Sequence, residues 1–287
     1  MTPPRRLPAR GRWMLPAIIG AASIFPIYMI GVESLKSVRE DVTGSPLIVL
    51  HPTLKWYLGL FDPVTWLRGE VAVRRIPFLV WMGNTAIVLA AALAATLVIS
   101  VMAAYALGRL HPPGWRLWRR VLFATYLVPQ TLLFLPIYNL VFRLHLDDNV
   151  MALVLVYPVL TVPFCVWLLS AYYQRLAPEV EESAYIEGAN RLTAFFRIVL
   201  PMSWPTVVAA GIFALGVIAS DSIFASLFLP NQFHQTLAAG LGAMGPSMDN
   251  LSVIAAVNLS ALSVMPLAAA FAGVYIRGLT AAMVEGA

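Results

Sequence analysis

Residues 181–201 read EESAYIEGANRLTAFFRIVLP and form the longest polar interruption in the second half of an otherwise apolar chain. Pro178, just ahead of them, suits the first turn of a helix, where its missing N–H is one of the donors left unpaired anyway. Glu179, Glu181 and Glu182 crowd that turn, where the helix dipole favours anions. Gly188 stands where a glycine ends a helix in the left-handed conformation, and Asn190 can cap a second helix. Leu192, Phe195, Phe196 and Val199 follow at i, i+3, i+4 and i+7, which predicts one shared apolar face. Pro201 stops this helix as the next apolar run begins. The spacing predicts a helix, a sharp turn and a second short helix.

The rest of the chain sets this elbow at a membrane surface. Of 287 residues, 60% are hydrophobic and 11% charged, against about 25% charged in an ordinary soluble domain. So few charges cannot cover a soluble globule, which makes the chain an integral membrane protein. Six apolar stretches reach the roughly 20 residues that cross a bilayer: 13–35, 78–107, 120–142, 150–172, 203–229 and 251–276. The fold class is therefore all-α and polytopic, with six transmembrane helices. Prolines recur inside the stretches (Pro26, Pro129, Pro136, Pro158, Pro163 and Pro266); a helix bundle can re-satisfy the backbone groups they free.

The net charge of +5 comes without a basic–aromatic patch of the nucleic-acid type. Many of the arginines sit at the edges of apolar runs: Arg5, Arg6, Arg10 and Arg12, then Arg109, Arg116, Arg119 and Arg120, then Arg175, Arg191 and Arg197, and last Arg277. The 36–77 loop also carries Lys36, Arg39, Lys55, Arg68, Arg74 and Arg75, but it is long and counts less. The 143–149 connection sets Arg143 against Asp147 and Asp148, and the 230–250 loop has no Lys or Arg. The positive-inside rule then places both termini in the cytoplasm. The divisions expected are a 1–12 tail, the first span at 13–35, an external loop at 36–77, a core at 78–276 and a 277–287 tail. YLGLFDPVTWLRGEVAVRRIPFLVW, residues 57–81, reads as an interfacial amphipathic helix leading into the second span. Arg5-Arg6 could open an export signal, but the following run is long and ends in no small-residue cleavage site, so a retained span is expected.

Several chemistries are excluded. Cys165 is the sole cysteine, so neither an intrachain disulfide nor a cysteine metal cluster can form, and no metal site is expected. His51, His111, His145 and His234 all fall in loops with no i, i+4 pairing. No H-E-x-x-H or G-x-S-x-G occurs, and no span holds an acid dyad, which argues against an enzyme. The two lysines, Lys36 and Lys55, lack a P-loop around them. The chain is expected to bind no cofactor of its own. A gradient-driven carrier would want ionisable groups at mid-membrane and internal repeats; only Asp221 qualifies, and no repeat is evident. Ser220, Asp221 and Ser222 in the fifth stretch, Gln130 and Asn139 in the third and Asn258 in the sixth are candidates to line a path for a polar solute. A hydrogen bond to a neighbouring helix is the alternative at each.

The 181–201 stretch resembles the EAA loop of ATP-binding-cassette importer permeases: E-A-A, three residues, glycine, then nine residues to I-x-L-P. Here these are Glu182-Ser183-Ala184, Gly188, and Ile198, Leu200 and Pro201, with serine for the first alanine and Glu187 where aspartate is usual. AAYALGRLHPPG (103–114), LVPQTLLFLPIYNLV (127–141) and RGLTAAMVEGA (277–287) are similar to segments of maltose-type sugar permeases, nearest to the smaller, six-span subunit. The resemblance implies the MetI-like importer permease fold, with 177–201 as a coupling loop docked on a cytoplasmic ATPase. By it, Glu182, Ser183, Ala184, Glu187, Gly188, Phe195, Leu200 and Pro201 are the coupling residues. It also implies a homologous second permease, an ATPase dimer carrying ATP and Mg, and an extracytoplasmic solute-binding protein that meets the 231–250 loop. The expected function is inward movement of a sugar or related polar solute by alternating access. Glycerol phosphate, polyamine or a gradient-driven carrier are the alternatives. Asp221 keeps the acid of the family's W-N-E/D-F pattern in the fifth span, with Phe224 three residues on, but Ala219-Ser220 replaces its Trp-Asn, so stacking of an aromatic ring on a sugar is lost there.

Overall fold

The computed structural model describes residues 11–61, 77–244 and 250–285. Among these residues the regular structure is helical throughout, with no strand. In chain order the helices are α1 (Gly11–Ser34), α2 (Val38–Thr43), α3 (Lys55–Phe61), α4 (Phe78–Tyr105), α5 (Trp115–Tyr126), α6 (Phe134–Arg143) and α7 (Val150–Arg175). They continue with α8 (Glu179–Ile186), α9 (Arg191–Ala194), α10 (Leu200–Met202), α11 (Trp204–Ser220), α12 (Ile223–Phe228), α13 (Leu237–Ala243) and α14 (Asn250–Glu285). The chain forms two compact units, Met1–Phe78 with Met244–Ser263, and Leu79–Ala243 with Val264–Ala287.

In the first unit, α1 presents Ile18, Ile19, Ile24 and Phe25 outward, as a helix facing hydrocarbon would. The segment after it is more ordered than a plain external loop. The buried Glu40 carboxylate accepts from the backbone N–H groups of Leu50 and His51. The Trp56 indole donates to the Lys36 carbonyl at 2.7 Å, and the Tyr57 hydroxyl to Ser34 Oγ at 2.7 Å. Lys36 itself is buried, with its ammonium 2.7 Å from Glu33. A buried lysine persists only with such a partner. Of the expected 57–81 amphipathic helix, the α3 portion is seen and residues 62–76 lie outside the described residues, as do the 1–10 arginines.

The second unit is built on α4 and α7. Thr96 and Thr161 hydroxyls meet between them at 2.9 Å. α7 is buried over most of its length, whereas α4 also presents Leu79, Ile87, Val98 and Ile99 outward, as a helix facing hydrocarbon would. At the start of α7, Val88 and Ala92 pack with Leu153, Tyr157, Phe224 and Phe228. Towards its end, Val101, Tyr105 and Leu107 pack with Cys165, Leu169, Tyr173, Phe195 and Val207. The expected functional loop grows out of this second cluster.

Among the described residues, three single helices are long and apolar enough to cross a membrane: Pro16–Ser34, Phe78–Leu110 and Val150–Arg175, matching the first, second and fourth expected spans. The third and fifth are not straight crossings. Trp115–Tyr126 and Gln130–Arg143 meet at 95°, and the elbow's second arm, Arg191–Met202, enters the fifth stretch at 72° to Trp204–Ser220. Pro129, at φ −55 and ψ 124, leaves the helical region and turns the chain at the first bend. The fifth stretch ends as a helix at Ser220, one residue before Asp221 leaves helical geometry at ψ 122, and resumes as α12. The sixth lies within α14, whose described apolar portion is Leu251–Ser263. The 230–250 loop contains α13, with Leu237, Ala239 and Gly240 buried; residues 245–249 lie outside the described part.

Candidate functional site

The elbow expected between the fourth and fifth spans is present, and its hydrogen bonds explain its shape. α8 opens with Glu179, Glu181 and Glu182 in its first turn. At its other end Ala189 N–H reaches the Ala184 carbonyl at 2.9 Å, and Gly188 N–H the Tyr185 carbonyl at 3.0 Å. These two bonds are the 6→1 and 5→2 pair of a Schellman motif, which needs a left-handed residue just past the helix. Gly188 supplies it at φ +87, and a Cβ built there would meet no atom within 4 Å. The glycine is thus demanded by the backbone angle alone. Asn190 then caps α9, its side chain accepting from Thr193 N–H at 2.8 Å.

Glu182, Ser183, Glu187 and Gly188 are exposed along the first arm and turn of this elbow, while Ala184 and Phe195 are buried in it. Leu200 is half-buried and Pro201 exposed where α10 leads to α11. The second arm departs from the expected face. A π-helical turn, Phe195–Val199, follows the single turn of α9, and the buried stripe is Ala194, Phe195 and Val199. Leu192 and Phe196 were expected on that stripe, but are 61% and 54% exposed. An arm that starts only at Arg191 and then widens into a π turn does not keep the 3.6-residue register. With Ile186 at 87% exposure, these side chains put apolar surface on both sides of Gly188.

The base of the elbow holds an ion pair that pattern reading did not anticipate. Arg109 Nε donates to Glu181 Oε1 at 2.9 Å, with the two side chains 13% and 9% exposed. Tyr185 Oη donates to Glu181 Oε2 at 3.0 Å. Burial first, then the Glu181 carboxylate, raises the Tyr185 phenol above its usual range, which keeps it a neutral donor. Arg109 belongs to a π-helical turn, Ala106–Leu110, that ends at His111 in the left-handed region. The quoted AAYALGRLHPPG segment contained this arginine, but only as an edge charge.

The solute-path candidates are scattered. Ser220 is exposed and donates to its own helix at Gly216. Ser222 is half-buried at the break, as is Asp221, which hydrogen-bonds Tyr157 of α7. Gln130 and Asn139 are exposed on the bent third stretch. Asn258, in the first unit, lines a cavity of about 720 Å³ together with Tyr28, Gly31, Leu35, Tyr57 and Leu262. Among the described residues no group of His, Cys, Asp and Glu could hold a metal ion.

Comparison with known proteins places these features in a context. A family model described as "Binding-protein-dependent transport system inner membrane component" matches residues 96–276. The inner membrane ABC transporter permease protein YcjP of Escherichia coli is 27% identical over 267 residues, covering 92% of this chain and 92% of its own length. The trehalose/maltose transport system permease protein MalG of Thermococcus litoralis is 27% identical over 269 residues, 92% of each. The sulfoquinovosyl glycerol transport system permease protein SmoH of Agrobacterium fabrum is 29% identical over 232 residues, 80% of this chain and 77% of its own. In fold, the chain is similar to a chain of a bacterial ABC transporter involved in the import of the acidic polysaccharide alginate. The TM-score is 0.73 at 17% identity, over 89% of this chain and 92% of that one.

Proposed function

We propose, because this chain belongs to the family of binding-protein-dependent transport system inner membrane components, that it passes a sugar or related small polar solute inward by alternating access. The family makes it a multi-pass membrane permease subunit rather than an enzyme, and implies a partner ATPase and a solute-binding protein. Relatives named for trehalose and maltose and for sulfoquinovosyl glycerol support a sugar-like cargo. In this reading both termini and the 177–201 loop are cytoplasmic. A homologous second permease completes the pathway, and ATP and Mg reside on a dimer of the ATPase.

One observation carries the coupling role. Ile186, Leu192 and Phe196 are exposed around the Gly188 turn, beside Glu182, Ser183 and Glu187. Clustered exposed apolar side chains rimmed by polar ones mark a protein interaction surface, here suited to a cleft on the ATPase. Glu182, Ala184 and Gly188 set its geometry, with Phe195, Leu200 and Pro201 joining it to the fifth span. Ser220, Asp221, Ser222, Gln130, Asn139 and Asn258 remain the polar groups available to the solute path.

The test uses Ser183→Cys in membranes that also contain the partner permease, ATPase and binding protein. Native Cys165 is buried, so a thiol crosslinker reports the loop. Capture of the ATPase, with sugar accumulation that needs ATP, is expected. Failure to capture it, or uptake that follows an ion gradient without ATP, would remove this function.

A further inference from the structure

We propose that Arg109, seconded by Tyr105, is the positioning residue that ties the 177–201 loop to the end of α4. Motion of the loop is then delivered to that span instead of being absorbed in the connection from α7. The inference rests on the coupling role above and deepens it.

Among the described residues, the α8 side chains with a polar bond to another element are Glu181, on Arg109 and Tyr105, and its neighbour Tyr185, on the same Tyr105. Glu182, Ser183, Ile186 and Glu187 face outward. Whatever pushes on this helix must therefore act on the body largely through Glu181 and Tyr185, both on the end of α4, and the apolar contacts beneath Ala184. Arg109 receives it with its whole guanidinium. Nε takes the carboxylate at 2.9 Å, Nη1 the Leu176 carbonyl at 2.9 Å and Nη2 the Ala177 carbonyl at 3.4 Å. Leu176 and Ala177 are the link between α7 and α8. One planar cation thus pins the first turn of the elbow and the hinge that would otherwise let it swing. A guanidinium offers five donors in a fixed fork, which a lysine cannot reproduce.

The second arm is gripped by the same end of α4. The Tyr105 ring lies 4.5 Å from Phe195, the first residue of the 195–199 π turn, and 6.0 Å edge-on from Tyr173 of α7. Its hydroxyl lies 3.5 Å from Glu181 Oε2. Both arms therefore converge on residues 105–109, where α4 itself becomes a π turn. Such turns occur frequently at functional sites. Gly108 seats that turn flush against α7: a Cβ there would lie 2.9 Å from Tyr173 Cβ and 3.0 Å from the Ser170 carbonyl. A displacement of the elbow has a short, close-packed route into the two helices at the centre of the second unit.

The test is a measurement of coupling in the complete importer, reconstituted with its partner permease, ATPase and binding protein in proteoliposomes. Arg109→Gln, Arg109→Lys and Glu181→Gln are compared with wild type for solute imported per ATP hydrolysed, each also in the Ser183→Cys background. The expected result is that the crosslink to the ATPase still forms and ATP is still hydrolysed, while solute per ATP falls about tenfold in the two glutamine variants. Substitutions along a coupling route change coupling by factors of about this order. Arg109→Lys falls between, because an ammonium keeps the charge and loses the two carbonyl bonds. An unchanged ratio in Arg109→Gln overturns the proposal. So does a loss of assembly in every variant, which would make the pair a folding contact only. Absence of ATP-driven uptake in the wild type would instead overturn the coupling role itself.

Discussion

Tyr157 on α7 donates its hydroxyl to Asp221 Oδ2 at 2.9 Å, across the break that separates α11 from α12. The same oxygen accepts from Ala225 N–H at 3.2 Å, and Oδ1 accepts from Phe224 N–H at 3.4 Å. The acid therefore caps α12 and fastens the break to the neighbouring helix. A carboxylate inside an apolar stretch is costly unless its oxygens are satisfied in this way. Tyr157→Phe removes one donor and is expected to cost about 1–3 kcal/mol of stability. Asp221→Asn keeps an acceptor and a good capping side chain, and is expected to cost less than Asp221→Ala. Thermal unfolding in detergent measures all three. If Asp221→Ala melted with the wild type, the capping role would be wrong.

Gly108 tests the packing of α4 on α7. The glycine is not there for its backbone angle, because no positive φ occurs at this position. It is there because Tyr173 and Ser170 leave no room for a methyl group. Gly108→Ala is expected to destabilise by about 1–3 kcal/mol, the usual cost of overpacking, and Gly108→Val by more. Melting temperature and the yield of folded protein from membranes would show it. A stability equal to wild type in both variants would mean that the two helices part easily at this point.

The apolar runs of α4 and α7 were legible because both helices are long, continuous and embedded. Pro158 and Pro163 sit inside α7 without interrupting it, for its neighbours bury most of its length. Pro129 does interrupt its stretch, in a segment whose residues from Leu127 to Leu132 are exposed. A proline's effect is thus decided by tertiary support, which hydropathy does not report. The Gly188 turn and the Asn190 cap were legible because each is a local backbone event with its own residue preference. The Arg109–Glu181 pair was not. Its members stand 72 positions apart, and each has a sufficient local explanation, one as an edge charge and the other as a first-turn acid. The exposure of Leu192 and Phe196 was also hidden, since a π turn shifts the face that periodicity assumes.

Asn190 offers a graded test of the second arm. Its side chain accepts from Thr193 N–H, and α9 is a single turn with little else to start it. Asn190→Ala is expected to cost about 1 kcal/mol, whereas Asn190→Ser or Asn190→Asp should be nearly neutral. Hydrogen exchange of the 191–199 amides is the direct readout, faster in the alanine variant alone. Equal exchange in all variants would mean that packing of Phe195 and Val199, and not the cap, holds the arm.

Gly188 separates folding from coupling most cleanly. At φ +87 an L side chain is strained by about 1 kcal/mol or more, yet the space above it is open, so no clash within the chain adds to this. A strain of that size in an exposed turn does not unfold a membrane bundle. Gly188→Val is therefore expected to reach the membrane at the wild-type level. It should nonetheless abolish uptake, because a branched side chain both bends the turn away from left-handed geometry and covers the surface between Ile186 and Leu192. Gly188→Asn should retain more activity, asparagine being the residue that next best tolerates this conformation. Quantitative membrane blotting beside labelled-sugar uptake distinguishes the two effects. Normal uptake in Gly188→Val would show that the turn is a connector and that force enters the permease elsewhere.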